Sequence, residues 1–210
     1  MIRETICCPM SRSFSSSGRI VAGNSTKPGE FPWMVAGIDK YEMDGPMCVG
    51  SLITPVHVLT AAHCLSYSME EVPSYIRVRV GEHDFDTVME SEHRDFRVKS
   101  VKVHPGFANA WDGNELYMYN DLAVVEIDVP CMEELKIVRL PDKATDFRNR
   151  SATVIGWGIR DPDKPYQPPI LQTVTAGIYP HEMCKSLHPA IKYTHLCATN
   201  NLNGENITCY

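Results

Sequence analysis

The sequence is poor in features that would indicate a membrane protein or a nucleic-acid-binding protein. No apolar run approaches the roughly 18 to 20 residues that a membrane-spanning helix requires. Positive charge is not in excess either, since 26 Asp and Glu outnumber 20 Lys and Arg and give a net charge of −6. Nucleic acid and anionic membranes attract basic surfaces. We therefore expect no nucleic-acid partner and no membrane span.

The eight cysteines lack the spacing of a metal site. There is no Cys-x-x-Cys pair and no close quartet of His and Cys, which disfavours zinc. Disulfide bonds in a secreted, extracellular protein explain so many cysteines better. The first 19 residues, however, contain no apolar segment of the kind that a signal peptide needs. We therefore expect the natural N-terminus to lie upstream of Met1.

The rest of the chain is typical of an all-β protein. Up to Gly18 the sequence is polar and rich in serine, as linkers are. Beyond Arg19, short runs that alternate or are wholly apolar are separated by Gly, Pro and Asn, which indicates antiparallel barrels or sandwiches. Strands are predicted at Tyr75–Gly81, Phe96–Pro105, Leu122–Ile127, Ala152–Gly158 and Leu171–Ile178, and one short helix at Pro180–His188.

Four short motifs follow one another along the chain. They are RIVAG at 19–23, LTAAHC at 59–64, NDLAVVEI at 120–127 and GWG at 156–158. One of them alone could arise by chance, but all four in this order and spacing could not. Together they resemble the chymotrypsin-like serine peptidases, and the resemblance extends from Arg19 to Tyr210.

The resemblance implies a trypsin-like fold of two antiparallel six-stranded β-barrels, with the second barrel incomplete. It divides the chain into a propeptide or linker at residues 1–19, an N-terminal barrel at 20–131 and an incomplete C-terminal barrel at 132–210. The sequence ICCP at Ile6–Pro9 resembles the end of a clip domain, the small disulfide module that precedes many arthropod peptidases. Residues 1–19 are therefore a candidate remnant of such a module.

Catalytic roles also follow from the resemblance. A serine hydroxyl is a weak nucleophile and needs a base to take its proton. His63 corresponds to that base and Asp121 to the buried acid that orients it, in the order His, Asp, Ser of the chymotrypsin triad. The serine of the family pattern would come just after Tyr210. We therefore expect a serine endopeptidase that cleaves protein and peptide substrates through an acyl-enzyme, represented here by a fragment that is inactive as written.

The alternative is a non-catalytic, truncated homologue that acts as a binding or decoy protein. A decoy has no chemical need for His63 or Asp121, so the presence of both favours the enzyme. The two hypotheses differ in what the coding sequence contains after the codon for Tyr210. Gly-Asp-Ser in frame indicates a fragment of an enzyme, whereas a stop codon indicates the decoy.

Activation and substrate choice are implied in part. Arg19–Ile20 corresponds to the zymogen cleavage site, where an activating protease would free the Ile20 ammonium group to pair with an aspartate near the catalytic serine. Ile207 stands where trypsins place the aspartate that binds Arg or Lys, so an uncharged residue is the expected preference. Protein protease inhibitors are expected as further partners.

The family pattern pairs four of the eight cysteines. Cys48–Cys64 would be one disulfide, beside the catalytic histidine, and Cys184–Cys197 another, after the short helix. For the N-terminal cysteines two arrangements remain open, because a clip domain implies partners upstream, whereas a tethered propeptide implies a bond from Cys7 or Cys8 to Cys131. The cysteines without an assigned partner are Cys7, Cys8, Cys131 and Cys209.

Two lesser features concern metal and carbohydrate. The acidic segment at 81–92 resembles the calcium loop of trypsins, so a structural calcium ion is one interpretation and a solvated acidic loop is the other; no cofactor is required. The candidate calcium ligands are Glu82, Asp84, Glu90 and Glu92. The candidate glycosylation sites, each an Asn-x-Ser/Thr sequon, are Asn24, Asn149 and Asn206.

Overall fold

The computed structural model describes residues 5–7, 23–39, 45–65, 72–87, 89–111, 116–130, 134–158, 166–199 and 208–209. The strands in chain order are β1 (Thr5–Cys7), β2 (Asn24–Ser25), β3 (Met34–Asp39), β4 (Cys48–Thr54), β5 (His57–Thr60), β6 (Ile76–Val80), β7 (Arg94–Val103), β8 (Ala108–Trp111), β9 (Leu116–Tyr119), β10 (Ala123–Ile127), β11 (Ser151–Gly156), β12 (Gln172–Ile178), β13 (Cys197–Thr199) and β14 (Thr208–Cys209). The helices are α1 (Val72–Tyr75) and α2 (His181–Leu187), and Ala62–Leu65 forms a turn of 3-10 helix. None of the helices in the described residues has the length and apolar composition needed to cross a bilayer.

The first half of the molecule is a closed barrel of antiparallel strands in the order β10-β5-β4-β3-β6-β7. Its strands alternate in burial as a half-buried strand should. In β7, for example, Phe96 and Val98 are buried, whereas Arg97 and Lys99 are exposed. The inward side chains form one apolar cluster that includes the fully buried Leu52. Burial of one such side chain stabilises the fold by about 1.5 to 3 kcal/mol, so this cluster is the main source of the barrel's stability.

The second half is an open sheet in the order β1-β11-β12-β13-β14, with β2 paired to β12. Strand β11 is buried on both faces, as its apolar sequence predicts. Val154 packs with Ala176 on one face of the sheet. The next residue, Ile155, packs with Trp157 and with Met34 of the barrel strand β3. The second sheet is therefore packed against the barrel through β11.

The expected all-β fold with a closed antiparallel barrel is confirmed, and the strands expected to form the incomplete second barrel make an open sheet among the described residues. One element differs from the expectation, because β1 lies inside the predicted linker 1–19 and pairs with β11 in parallel. An open sheet edge has unpaired N–H and C=O groups that any extended segment can satisfy, and a linker-like composition does not reveal this. The divisions at 19/20 and 131/132 stay predictions, since the residues on both sides of each lie outside the described ranges.

The five predicted strands and the predicted helix are all present, with ends that differ by one or two residues at most; they correspond to β6, β7, β10, β11, β12 and α2. Besides β1, the elements without a predicted counterpart are β2, β3, β4, β5, β8, β9, β13, β14 and α1. Helix α1 and the hairpin strands β8 and β9 have only four residues each. Such lengths are too short for an apolar period to become visible.

Candidate active site

Strand pairing in the barrel brings His63 and Asp121 together. Strands β5 and β10 are antiparallel neighbours, and Thr60 at the end of β5 lies opposite Ala123 at the start of β10. His63 comes three residues after Thr60, on the 3-10 turn, and Asp121 comes two residues before Ala123. Two residues 58 positions apart in the sequence therefore meet at the same end of the barrel.

The carboxylate of Asp121 accepts two hydrogen bonds from His63. The backbone N–H of His63 donates to Oδ1 at 2.8 Å, and the ring Nδ1 lies 2.6 Å from Oδ2. The side chains are 14% and 18% exposed for His63 and Asp121, respectively. An ionised carboxylate can only accept, so the proton of the neutral imidazole lies on Nδ1. The lone pair is therefore on Nε2, where it can take a proton from another group.

The turn that carries His63 is fixed on both sides. Ala62 and Leu65 are buried at 0% and 4% exposure and anchor the turn in the barrel core. The predicted disulfide is present and joins Cys64, next to His63, to Cys48 of β4. With a sequence separation of 16 between its ends, this bond contributes about 3 kcal/mol on the loop-closure estimate. His63 is thus held in place by both packing and a covalent bond.

The turn before Asp121 depends on an asparagine. Asn120 has φ of 51°, in the left-handed region that Asn tolerates better than most residues. Its side-chain Nδ2–H donates to the carbonyl oxygen of Gly106 at 2.8 Å. The Leu122 N–H closes the turn by donating to the carbonyl oxygen of Asn120 at 2.7 Å. This local geometry turns the Asp121 carboxylate away from the strand direction of β10 and toward His63.

The β8–β9 hairpin, which leads into Asp121, contacts the part of the chain around α2 and β13. Tyr117 of β9 packs in a buried cluster with Ile191 and with the second predicted disulfide, Cys184–Cys197, which is also present. The Tyr119 hydroxyl donates to the carbonyl oxygen of Ala190 at 2.9 Å. The segment between α2 and β13 is thus docked on the hairpin that leads into Asp121.

Tyr119 also holds two basic side chains beside the pair. Lys192 Nζ lies 3.9 Å from the centre of the Tyr119 ring, and the His195 ring is edge-on to it with the centroids 5.3 Å apart. Burial lowers the pKa of His195, and the negative charge of Asp121 acts in the opposite direction. The motifs that indicate His63 and Asp121 do not include these residues. The one usable signal is the dipeptide Asp112–Gly113, which is typical of tight hairpin turns and could have predicted the hairpin.

The four candidate calcium ligands do not form a cation site. A calcium ion binds six to eight oxygens at about 2.3 to 2.6 Å. Among the described residues, no three of these acids place their oxygens within 4.8 Å of one another. Their carboxylates instead contact protein groups: Glu82 pairs with Arg79, and Glu90 pairs with His83. The residues as arranged do not fit the ion that the family resemblance implies.

Among the described residues, one group of three does have potential metal-ligand atoms within 4.8 Å of one another, namely Cys48, His63 and Cys64. Both cysteines are oxidised to the disulfide, so neither offers the thiolate that binds a metal. The predicted glycosylation sites Asn24 and Asn149 are exposed. Several predicted positions lie outside the described residues; they are Cys8, Arg19, Ile20, Cys131, Asn206 and Ile207.

A closed antiparallel barrel packed on a second sheet, with a His–Asp pair at the end of the barrel, defines the class of chymotrypsin-like serine proteases. Comparison with known families agrees, since the family described as Trypsin matches residues 20–210. The chain therefore belongs to the trypsin family.

Individual relatives share the family and part of the length. The chain is 32% identical to "Serine protease filzig" of Drosophila melanogaster over 94% of its own length and 12% of the relative's. It is 30% identical to the "Proclotting enzyme" of Tachypleus tridentatus over 88% of its own length and 51% of the relative's. The structure of neuropsin, a serine protease from mouse brain, superposes with a TM-score of 0.71 at 21% identity, covering 90% of this chain and 82% of neuropsin. The chain thus spans about half or less of these two curated relatives, and the neuropsin match supports the fold.

Proposed function

We propose that the chain is part of a secreted serine endopeptidase, made as a zymogen, that cleaves peptide bonds through an acyl-enzyme. The observation that carries this proposal is the contact of Asp121 with both the backbone and the ring of His63. In this arrangement the Nε2 lone pair of His63 takes the proton of a serine hydroxyl as it attacks the peptide carbonyl. The resulting imidazolium, stabilised by Asp121, then protonates the leaving amine.

The proposal also concerns the nucleophilic serine. The sequence of the 210 residues contains no Gly-Asp-Ser-Gly, the family's nucleophile motif. We propose that this serine is encoded after Tyr210 and that the 210-residue polypeptide by itself does not hydrolyse peptides. A fluorophosphonate probe labels an activated serine covalently, so this polypeptide should stay unlabelled. The product of the reading frame continued past Tyr210 should be labelled after cleavage between Arg19 and Ile20, and His63→Ala should abolish that labelling.

Sequencing the messenger RNA past the codon for Tyr210 tests the proposal directly. Gly-Asp-Ser in frame supports the enzyme. A stop codon at that point would refute it and would favour a non-catalytic homologue that binds without cutting. Labelling of the purified, sequence-verified 210-residue polypeptide in a manner that depends on His63 would refute the proposed inactivity.

Secretion and zymogen activation belong to the same proposal. The disulfides Cys48–Cys64 and Cys184–Cys197 favour an oxidising compartment outside the cytosol. Cleavage between Arg19 and Ile20 by an activating protease should produce a chain that begins Ile-Val-Ala-Gly, which N-terminal sequencing would detect. A different new N-terminus after activation would refute the assigned cleavage site. Protein substrates and protein protease inhibitors are the proposed partners.

Ile207 suggests the substrate preference. By the family resemblance this residue corresponds to the floor of the binding pocket, and an isoleucine offers no charge to pair with Arg or Lys, so we propose preference for an uncharged residue before the cleaved bond. Peptide substrates that differ only at that residue test this with the activated enzyme. A kcat/KM higher for Arg than for Phe, Leu or Ala would overturn it.

A further inference from the structure

The loop between β6 and β7, residues 81–93, contains the four acids that resemble a calcium site. Arg79 immediately before this loop and Asp95 just after it form its base. The Arg79 guanidinium makes a two-pronged contact with Asp95, with Nε 2.7 Å from Oδ1 and Nη2 2.9 Å from Oδ2. These hydrogen bonds to Asp95 raise the pKa of Arg79. Both ends of the loop are therefore joined by a permanent positive charge.

The same guanidinium neutralises the most buried acid of the loop. Arg79 Nη1 lies 3.2 Å from Oε2 of Glu82, whose side chain is only 2% exposed. His93 Nδ1 is also 3.2 Å from that oxygen, at ion-pair distance but without hydrogen-bond geometry. Oε1 of Glu82 accepts the backbone N–H of His83 at 2.9 Å. Both oxygens of this carboxylate are thus occupied by protein donors.

His83 satisfies a second acid of the loop. Its ring Nδ1 contacts Oε1 of Glu90, and its Nε2 lies 2.9 Å from the carbonyl oxygen of Thr26. A backbone carbonyl only accepts, and an ionised carboxylate only accepts. The His83 ring nitrogens are therefore the donors available to these two oxygens, and the ring links Glu90 to the backbone of Thr26. The ring is also buried, at 6% side-chain exposure.

The two remaining acids point elsewhere. Asp84 Oδ1 accepts the backbone N–H of Asp86 at 3.0 Å, in a local turn. Glu92 is exposed. The backbone of Glu92 packs closely on Gly81: a Cβ on Gly81 would lie only 2.8 Å from the carbonyl oxygen of Glu92. The loop is closed at this point by backbone packing, and no common centre for a cation results.

This loop also fastens the barrel to the second sheet. The carbonyl oxygen of His83 accepts the indole N–H of Trp157 at 3.2 Å and the backbone N–H of Leu171 at 2.8 Å. Phe85 packs edge-on against Trp157, with ring centroids 5.4 Å apart, and lies 5.8 Å from the Arg79 guanidinium. The position of His83 and Phe85 therefore depends on the ion pairs on the other side of the loop.

We propose that the β6–β7 loop is a calcium-independent brace, in which the Arg79 guanidinium and the imidazole rings of His83 and His93 hold Glu82 and Glu90, two of the acids that a metal ion would otherwise gather. The brace keeps His83 and Phe85 in contact with the second sheet. Its occupants are part of the chain, so its stability does not depend on the calcium concentration around the protein.

Thermal unfolding of the full chain in 10 mM calcium chloride and in EDTA tests the metal part of this proposal. A site with a dissociation constant of about 0.1 mM, as in extracellular calcium modules, would raise Tm by roughly 5 to 10 °C under these conditions. We expect the two Tm values to agree within about 1 °C. A calcium-dependent rise that is lost in Glu82→Gln would overturn the proposal.

Three variants test the brace itself. Glu82→Gln and Arg79→Gln each break a buried ion pair and should lower Tm by about 6 to 20 °C, equally with calcium and with EDTA. Lys99→Gln is the matched control, because it breaks an exposed pair with Glu126 on the neighbouring strand and should lower Tm by less than about 3 °C. If Arg79→Gln does not fold, Glu82→Gln decides. Losses no larger than that of the control would refute the brace.

Discussion

The replacement of Asp121 by Asn tests the catalytic pair most directly, because it removes one charge and almost no volume. In the structure, Oδ1 accepts the backbone N–H of His63 at 2.8 Å and Oδ2 accepts the ring Nδ1–H at 2.6 Å. Asparagine has one acceptor oxygen and one NH₂ group. The backbone N–H can only donate, so it keeps the oxygen, and the NH₂ group then faces the ring. Nδ1 must become the acceptor, which moves the ring proton of His63 to Nε2.

The magnitudes of the two effects differ widely. A charge-assisted hydrogen bond is replaced by a neutral one, which costs about 1 kcal/mol and lowers Tm by only about 2 to 4 °C. The fold should therefore survive Asp121→Asn. In the protein that carries the nucleophile, a histidine protonated on Nε2 cannot accept the serine proton. The same change in the triad template lowers kcat about 10⁴-fold, equivalent to about 5.5 kcal/mol.

The assay is nitrogen NMR of the imidazole ring in the full chain, at a pH where the ring is neutral. We expect the proton of His63 on Nδ1 in the unaltered protein and on Nε2 in Asp121→Asn. Asp128→Asn is the control, since Asp128 is exposed just beyond the opposite end of β10 and should leave the tautomer unchanged. The same tautomer in the unaltered protein and in Asp121→Asn would refute the reasoning, whatever the activity.

Three further predictions concern the loop, a surface ion pair and acid stability. Gly81→Ala should lower the free energy of unfolding, measured by urea titration, by at least about 1 kcal/mol. The reason is that Gly81 has φ of +83° and that a Cβ there would lie 2.8 Å from the carbonyl oxygen of Glu92. An unchanged urea midpoint would contradict this close approach. Hydrogen bonds from Arg148 lower the pKa of Asp146 from 3.8 to about 2. Arg148→Gln should therefore return the pKa of Asp146 toward 3.8, which an NMR titration measures. An unchanged pKa would show that this ion pair does not form in solution. Burial lowers the pKa of His195 in the folded chain below its ordinary 6.5. As the pH falls, the unfolded chain therefore binds a proton at His195 before the folded chain does. The stability that is present above pH 6.5 is lost as the pH falls through the folded-state pKa. His195→Gln should therefore make the urea midpoint less sensitive to acidification below pH 6.5, and an equal sensitivity in both proteins would contradict this.

The contact between His63 and Asp121 could be predicted from sequence because each residue lies in a short motif with its own local signals. His63 follows a strand and stands beside a cysteine, and Asp121 directly precedes an apolar strand. The register of β5 and β10 then brings the two motifs together without any contribution from distant loops. Three of the six strands of the first barrel, β6, β7 and β10, were predicted for the same reason, since alternation and apolar runs are properties of consecutive residues; β3, β4 and β5 were not predicted.

The brace could not be predicted in this way, because its partners are chosen by how a loop folds over a strand. Alternation places Arg79 on the face of β6 that points away from the barrel core, where a solvated side chain is the natural expectation. In the structure Arg79 is only 8% exposed, because the following loop folds back and covers it. The sequence EHDFDTVMESEH shows that acids and histidines are abundant there, but not which acid meets which cation. An acidic loop that resembles a metal site in composition can therefore have its carboxylates neutralised from within, and the decisive residue, Arg79, lies outside the loop itself.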